Sequence, residues 1–330
     1  MLESSEVTET ARDGQAVGYD VLAMGRVGVD IYPLQAGPLE DVKTFEKFLG
    51  GSATNVAVAA SRLGRRSAII TRVGADPFGR FVRRTIRELG VDDVFVSTVA
   101  HLPTPVTFCE LFPPDSFPIY FYRYPKAPDL EIAPGELDEE AIASARLLWC
   151  TVTGLCAEPS RSAHAHALAL RSRAQSSVLD LDYRAPFWNS PEAARSAIRD
   201  VLPMVTITVG NREECAVATG ESDPERAADV LLGLGPQLVI VKAGPDGVMA
   251  RTADRRVVVP PVSVEVVNGL GAGDAFGGAF CHGLLAGWEL ERVLAFANAA
   301  GAIVASRLEC STAMPSVDEV EQLLGSVSRA

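Results

Sequence analysis

Apolar residues follow two different spacings over residues 19–90. The runs "YDVLAMG" and "SAIITRVG" are short, apolar and closed by glycine, which is typical of buried β-strands. The segments "SATNVAVAASRLG" and "DPFGRFVRRTIRELG" instead have apolar residues at helical spacing. Gly64 marks the end of the first helix, and Asp76 and Pro77 mark the start of the second. This βαβα order predicts a parallel sheet with helices on both faces.

Residues 94–126 break this order. The runs "VFVSTVA", "TPVTFCELF" and "FPIYFYRY" are rich in β-branched and aromatic residues, and no helical segment separates them. We expect a small antiparallel sheet here, joined by "KTFEKFL" near residues 43–49. Its strands are drawn from about residues 31–50 and 94–126, and a sheet attached in this way is typical of a lid over a site. An edge extension without a functional role is the alternative.

The strand–helix alternation resumes after residue 145. The predicted strands lie in "ARLLWCTVTG", "SSVLDLDY", "MVTITVGN" and "QLVIVKAGPDG". The motif "NGLGAGDAFGG" at residues 268–278 then places five glycines around Asp274, and two long helical patterns follow it. The whole pattern predicts one α/β domain over residues 19–330. An acidic, polar tail over residues 1–18 precedes it, and we expect that tail to be disordered.

Charge and cysteine usage narrow the classes of partner. The formal net charge is −12, which argues against nucleic acid or an anionic membrane, because binding to phosphate backbones or headgroups needs a basic face. An anionic ligand would therefore need a local positive site. The six cysteines form no CxxC pair and lie mostly in apolar runs, which is typical of reduced thiols in a cytoplasmic protein.

The glycine motif has the composition of an anion-binding turn. A strand, a turn of small residues and a helix start bring free backbone N–H groups to one point, and the helix dipole adds about half a positive charge there. An aspartate inside such a cradle would repel an anion. The conflict is resolved if Asp274 is a general base that takes a proton from a hydroxyl attacking a γ-phosphate. The amides of Ala272, Gly273 and Asp274 would then hold the charge on the phosphoryl oxygens.

Other glycine-rich motifs fit less well. The chain has no GxxxxGK[ST] sequence, so the motif is not a Walker A loop. A dinucleotide-binding fingerprint would be followed by a second strand and an acidic residue, whereas two helices follow here. A purely structural tight turn is the remaining alternative.

A second signal is "GGSATN", in which Gly50 and Gly51 can admit a ligand next to the backbone and Asn55 lies in the first helical turn.

Together, "GGSATNVAVAASRLG" and "NGLGAGDAFGGAF" resemble the two signatures of the ribokinase-like (PfkB) sugar kinases. The similarity runs from about residue 19 to 325. It implies a three-layer α/β/α fold with a mostly parallel central sheet and a small β-sheet lid, and it implies ATP and Mg²⁺ as cofactors. The exposed face of the lid often pairs with its twin in this family, so the resemblance also implies a homodimer through the lid.

The resemblance assigns roles residue by residue. Asp274 matches the catalytic base, and the anion hole corresponds to Gly271, Ala272 and Gly273. The sugar-binding positions correspond to Asp30, Gly50, Gly51 and Asn55. "NREE" matches the element that organises Mg²⁺ and its waters, through Asn211 and Glu214. The nucleotide-binding positions correspond to Lys242, Gly244, Gly247, Asn268 and Asn298.

One position departs from the family pattern. The family motif commonly opens with Asp-Thr, whereas this chain has Asn268 and Gly269. The carboxylate that helps to hold phosphates or a nearby monovalent cation is missing. The resemblance therefore leaves potassium activation of this chain open.

Cationic residues near the lid indicate an acidic substrate. Tyr122, Arg123 and Lys126 lie on or just after a predicted lid strand, and Asp182 and Arg184 follow a core strand at its carboxyl end. Arginine is suited to a planar carboxylate, which it can bind bidentately. The alternative is that Arg123 and Lys126 are solvated lid charges and that "RAPFW" is a packed turn.

Several segments, among them "FPIYFYRYPKAPDL" and "LDLDYRAPFW", resemble family members that phosphorylate 5-dehydro-2-deoxy-D-gluconate in myo-inositol catabolism. The resemblance thus implies phosphorylation of a primary hydroxyl of that sugar acid. The alternatives are a kinase of the isomeric 2-keto-3-deoxygluconate, a kinase of a neutral sugar such as ribose or fructose, and a catalytically silent sugar sensor.

Overall fold

The structure is a computed structural model and describes residues 18–327. Of the predicted N-terminal tail only Gly18 is included, and the rest of residues 1–18 lies outside the described range. The strands are β1 (Val21–Met24), β2 (Gly28–Pro33), β3 (Phe45–Gly50), β4 (Ser67–Gly74), β5 (Val96–Val99), β6 (Val106–Cys109), β7 (Ile119–Tyr122), β8 (Leu147–Thr151), β9 (Ser176–Asp180), β10 (Ile207–Asn211), β11 (Leu238–Lys242), β12 (Val248–Arg251) and β13 (Arg256–Val259).

The α-helices cover the two faces of a large central sheet. They are α1 (Ser52–Arg62), α2 (Pro77–Glu88), α3 (Glu139–Ser144), α4 (Ser160–Ala169), α5 (Pro191–Val201), α6 (Arg212–Thr219), α7 (Pro224–Gly233), α8 (Ala272–Leu285), α9 (Leu290–Ala305) and α10 (Val317–Val327). The predicted start of α2 is confirmed, because Asp76 caps the helix by accepting a hydrogen bond of 2.7 Å from the Gly79 amide, and Pro77 is the first helical residue. No helix within residues 18–327 is long and apolar enough to cross a membrane.

The central sheet has nine strands in the order β13-β12-β11-β10-β9-β8-β1-β4-β5. Every neighbouring pair from β11 to β5 is parallel, and β12 and β13 add an antiparallel edge. Side chains alternate between two cores: Trp149 of β8 joins the core under α1, α8 and α9, whereas Leu148 joins the core on the opposite face. The predicted three-layer α/β/α fold is confirmed.

A second sheet of four strands, in the order β3-β2-β6-β7, stands apart from the first, and we call it the lid. The β2–β3 and β6–β7 pairs are antiparallel, but β2 and β6 run parallel. The segment "VFVSTVA", which the sequence pattern predicted to be a lid strand, forms β5 instead and pairs with β4 at the edge of the large sheet. Its composition of β-branched residues suits either sheet, so the pattern alone did not distinguish them.

Candidate active site

A narrow cleft lies between the lid and the carboxyl ends of the central parallel strands. The residues that line it are Arg26, Asp30, Tyr32, Gly51, Asn55, Thr107, Ile119, Phe121, Arg184, Leu270, Gly271, Asp274 and Cys310. The space enclosed is about 50 Å³, so the cleft is small.

The N-terminus of α8 forms one wall of this cleft. Gly271 is its N-cap, with a φ of +82° that disfavours any side chain, and a Cβ at this position would lie 2.6 Å from Cys310 Sγ. Among residues 18–327, no side chain caps this helix start. The amides of Ala272, Gly273 and Asp274 have no partner within the helix, since the first-turn donors of any α-helix lack one. They remain available to an anion at the dipole-positive end of a helix of 14 residues.

Asp274 lies in the first turn of α8 and faces α1. Asn55 Nδ2 donates a hydrogen bond of 2.7 Å to Asp274 Oδ2. Burial in the cleft and the nearby Asp182 carboxylate raise the pKa of Asp274 to about 6, although the Asn55 hydrogen bond and the Arg26 and Lys242 cations oppose that rise. A carboxylate with a pKa near neutrality combines a large ionised fraction with useful basicity, which is the property that a general base needs.

Asp182 is the centre of a buried charge cluster next to Asp274. It accepts 2.7 Å contacts from the Arg184 guanidinium and from Ser52 Oγ, and Arg26 Nε lies 3.4 Å away. Burial opposes ionisation of Asp182, but the two arginines and Ser52 outweigh burial, so its pKa lies below the usual value. In the described part of the chain, the buried Nε of Arg184 has no hydrogen-bond partner. The cluster therefore retains an unused donor.

A second charged group lies where β9, β10 and β11 end side by side. Burial lowers the pKa of Lys242, but the surrounding carboxylates of Asp180, Glu214, Asp274 and Asp182 more than reverse this effect, so the pKa lies above its usual value. Burial raises the pKa of Asp180 to about 7. A Cβ on Gly273 would lie 3.1 Å from Lys242 Nζ. The lysine cation is thus placed directly beside the free amides of α8.

Asn211 and Glu214 form a reciprocal capping box at the start of α6. Glu214 N donates to Asn211 Oδ1 at 2.9 Å, and Asn211 N donates to Glu214 Oε2 at 2.7 Å. The cap occupies one carboxylate oxygen of Glu214 and leaves Oε1 available. The "NREE" element therefore has a local structural role whether or not it also organises Mg²⁺, and its metal role stays a prediction.

Asp30 enters the cleft from the lid strand β2. Gly50 of β3 is paired with Gly28, two residues before Asp30, and a Cβ on Gly50 would overlap the Asp30 carboxylate. Tyr32 donates a hydrogen bond of 2.8 Å to Asp30 Oδ2, and its hydroxyl also lies 2.9 Å from Cys310 Sγ. Burial raises the pKa of Asp30 to about 6. The glycine thus provides the room in which this carboxylate faces the cleft.

The predicted nucleotide-binding residues are spread over one edge of the central sheet. Gly244 and Gly247 flank the turn between β11 and β12. Asn298 of α9 donates to Pro260 O at 2.9 Å. Asn268 is fully buried, and its amide group is occupied: Nδ2 donates to Leu308 O at 2.7 Å and Oδ1 accepts from Leu270 N at 3.0 Å. Asn268 thus stabilises the glycine turn through these two hydrogen bonds. Its contact with ATP stays a prediction.

Five predicted substrate-binding residues do not line the cleft. Gly50 and Asp182 contact residues that line it, and the other three lie farther from it. Tyr122 is 63% exposed on the outer face of the lid. Arg123 is buried in an ion pair of 2.7 Å with Asp129. Lys126 bonds to the carboxylate of Glu131 and the carbonyl of Glu158, both at 2.6 Å. Arg123 and Lys126 border a separate cavity on the far side of Phe121, so their role in substrate binding stays a prediction that this geometry does not favour.

Several cleft residues were not predicted from the sequence. Arg26 lies two residues after β1, and its position beyond the carboxyl end of a central strand is a signal from which it could have been predicted. Phe121 belongs to a lid strand that was predicted, but the face on which it lies was not. Cys310 lines the cleft, and it comes from a short segment after α9 that has no motif of its own.

Comparisons with known proteins all point to one family of carbohydrate kinases. A profile of the pfkB family of carbohydrate kinases matches residues 19–317. The 5-dehydro-2-deoxygluconokinase of Shouchella clausii is 33% identical over 313 residues, covering 93% of this chain and 95% of that protein. The 5-dehydro-2-deoxygluconokinase of Bacillus subtilis is 32% identical over 314 residues, covering 93% of this chain and 96% of its own.

Solved structures agree with this result. A putative ribokinase II from E. coli in complex with ATP and Mg²⁺ superposes with a TM-score of 0.84 at 25% identity, over 93% of this chain and 99% of that one. A PfkB protein from Polaromonas sp. JS666 gives a TM-score of 0.78 at 27% identity, over 89% of this chain and 98% of the other. The likeness spans nearly the full length of each protein.

Proposed function

The chain belongs to the pfkB family of carbohydrate kinases, and from this premise we propose that it phosphorylates a sugar acid, 5-dehydro-2-deoxy-D-gluconate, at its primary hydroxyl. The products are the 6-phosphate and ADP. The observation that carries the proposal is the position of Asp274 beside the uncapped N-terminus of α8, with its carboxylate held by Asn55. The names of relatives at 32–33% identity support the choice of acid.

In the proposed reaction the substrate hydroxyl attacks the γ-phosphorus of ATP. Asp274 accepts the hydroxyl proton while the new O–P bond forms and the bond between the γ-phosphorus and the β,γ-bridging oxygen breaks. The amides of Ala272, Gly273 and Asp274 stabilise the charge on the transferred group. Asp30 and Asn55 bind substrate hydroxyls, and Gly50 and Gly51 let the substrate approach the backbone.

ATP and Mg²⁺ are the proposed cofactors, and the residues present fit them. Lys242 and the α8 amides form a positive site for phosphates beside the proposed base. Gly244, Gly247 and Asn298 border the region proposed for the nucleoside. Within residues 18–327, no three His, Cys, Asp or Glu side chains cluster at metal-binding distance. Mg²⁺ would accordingly be held by phosphates and waters, with Glu214 Oε1 accepting from the waters, as is usual for this hard cation.

The carboxylate of the substrate is proposed to meet Arg184 and Arg26. Both line the cleft, and both lie against the Asp182 carboxylate. The unpartnered Nε of Arg184 supplies a free donor. A guanidinium with a free donor is suited to a planar carboxylate, which favours an acid over ribose or fructose as substrate.

The alternatives make different predictions in one assay. ATP consumption should be measured with 5-dehydro-2-deoxygluconate, 2-keto-3-deoxygluconate, ribose and fructose at matched concentrations. The proposal requires the highest kcat/KM with the first acid. A preference for the second acid would assign the same site to the isomer, and the absence of any turnover together with sugar binding would indicate a sensor.

The proposed role of Glu214 leads to a magnesium prediction. Glu214→Gln should raise the Mg²⁺ concentration for half-maximal rate about tenfold, because a residue that orders metal-bound waters loses its charge. Glutamine can still accept from Asn211 N, so the capping box survives. The matched control is Glu213→Gln, an exposed neighbour on the same helix turn. Equal Mg²⁺ titrations for the two variants would contradict the metal role.

We also propose a homodimer through the lid. The outer lid face carries Phe45, Phe108 and Tyr122, whose rings contact one another at centroid distances of 5.8 and 5.5 Å. An exposed aromatic stripe of this kind is typical of a protein interface. Phe45→Asp should therefore convert a dimer into a monomer in light scattering after size exclusion. Val94→Asp, which changes an exposed apolar residue away from the lid, should leave the mass unchanged, and a wild-type monomer would contradict the proposal.

A further inference from the structure

We propose that Ser311 is a positioning residue for the general base, acting on Asp274 through the side-chain amide of Asn55. The inference rests on the proposed function, in which Asp274 accepts the substrate proton. It concerns a residue that lies 256 positions along the chain from Asn55 and belongs to none of the motifs in the sequence. Ser311 touches neither the cleft nor Asp274 directly, and its effect is transmitted by hydrogen bonds.

The three side chains form a continuous chain of hydrogen bonds. Ser311 Oγ lies 2.5 Å from Asn55 Oδ1, and Asn55 Nδ2 lies 2.7 Å from Asp274 Oδ2. Ser311 is fully buried and Asn55 is 3% exposed, so water does not compete for the bond between these two side chains. Hydrogen bonds in such surroundings polarise one another, and a donor to the amide oxygen strengthens the N–H donor at the other end of the same amide.

Ser311 also favours one orientation of the Asn55 amide. An amide oxygen can only accept, and an ionised carboxylate can only accept. The single hydrogen of the Ser311 hydroxyl has two acceptors within reach, Leu49 O at 2.7 Å and Asn55 Oδ1 at 2.5 Å. When it is directed at Oδ1, which is the shorter contact, the Nδ2 end faces Asp274, and this arrangement stabilises the carboxylate. The reversed amide would bring two acceptors together at Asp274 Oδ2, and it is compatible only with a protonated Asp274.

The backbone around Ser311 is held independently of this contact. The adjacent Cys310 packs against Gly271 and contacts the Tyr32 hydroxyl at 2.9 Å. Ala313 N donates to Cys310 O at 3.1 Å, and Arg307 donates to Ala313 O at 2.7 Å. Removing the serine hydroxyl should therefore leave the segment in place and remove only its contacts with Asn55 Oδ1 and Leu49 O, which share its single hydrogen.

The pKa of Asp274 results from several opposing effects, so a change in one uncharged hydrogen-bond donor should shift it. Its pKa of about 6 reflects burial and Asp182 on one side, and the Asn55 bond, Arg26 and Lys242 on the other. The other titratable or charged groups that face it are Asp180, Arg184 and Cys310. Ser311 makes no bond to any of these charged groups, so its removal should change the Asn55 contribution and leave the others in place.

The experiment compares pH–rate profiles of Ser311→Ala and the wild type. We expect the acid limb of kcat and of kcat/KM to move upward by about half to one pH unit, because a weaker donor stabilises the Asp274 carboxylate less. The rate at pH 6 should fall severalfold and partly recover above pH 8, with the KM for ATP unchanged. Ser311→Thr keeps the hydroxyl and should restore the wild-type limb.

The matched control is Ser67→Ala. Ser67 is also buried and donates to a backbone carbonyl, at 2.8 Å from Ala57 O, but it has no connection to the cleft. Both alanine variants should lose thermal stability, and only Ser311→Ala should shift the pH profile. An unshifted limb in Ser311→Ala, or equal shifts in both variants, would overturn the inference. Failure of the proposed function would appear separately, as full activity of Asp274→Asn.

Discussion

Asp274→Asn is expected to lower turnover by about 10² to 10⁴-fold while leaving ATP affinity close to that of the wild type. Asparagine has the shape of aspartate and can remain next to Asn55, but it cannot accept a proton, and loss of a general base typically costs a factor in this range. The uncapped amides of α8 and the nearby Lys242 are unchanged, so the site for phosphates persists. The comparison requires steady-state kcat with saturating acid and an independent ATP titration by calorimetry.

The controls for Asp274→Asn separate chemistry from folding. Thermal melts should show that the variant is folded, and its Tm is expected to be no lower than that of the wild type, because a buried carboxylate with a raised pKa destabilises the folded state at neutral pH. The pKa of Asp274 is higher in the folded protein than in the unfolded chain. Its contribution to folding stability is therefore fully present below the unfolded-state pKa and is lost as the pH rises through about 6. Turnover near the wild-type rate would exclude Asp274 as the base.

Replacing Arg184 by methionine should weaken the sugar acid selectively, by about tenfold to one hundredfold in kcat/KM. A lost charge-assisted hydrogen bond is worth about 1.5 to 3 kcal/mol. Arg184 also neutralises Asp182, so the variant will disturb that carboxylate as well. The disturbance of Asp182 affects every substrate, whereas the lost contact affects only a substrate that carries a carboxylate.

The experiment therefore measures kcat/KM for two variants, each with two substrates. The second substrate is the neutral analogue in which the carboxylate is reduced to a hydroxymethyl group. The second variant is Arg123→Met, whose buried ion pair with Asp129 lies outside the cleft. We expect Arg184→Met to discriminate against the acid and Arg123→Met to change both substrates alike. The reverse result would place the binding site for the substrate carboxylate on the lid side, where the sequence pattern predicted that Tyr122, Arg123 and Lys126 bind it.

Local rules predicted most of the central domain. The strands β1 and β4 and the helices α1 and α2 appear where the apolar spacing indicated, since periodicity and capping act over a few residues. The glycine motif was interpretable for the same reason: a turn of small residues before a helix start needs only neighbouring residues to form an anion site. The turn and the helix start are present, with Gly271 as the N-cap of α8, and the anion site stays a prediction.

The tertiary structure decided which charges meet. Arg123 and Arg184 are both arginines near predicted strand ends, yet one pairs with Asp129 away from the cleft and the other lines it. Sheet membership of β5 was decided in the same way, by which edge its backbone groups could reach. Ser311 reaches Asn55 because α9 returns the chain to the start of α1. Contacts across such distances depend on how whole layers pack, and spacing along the sequence contains no record of that packing.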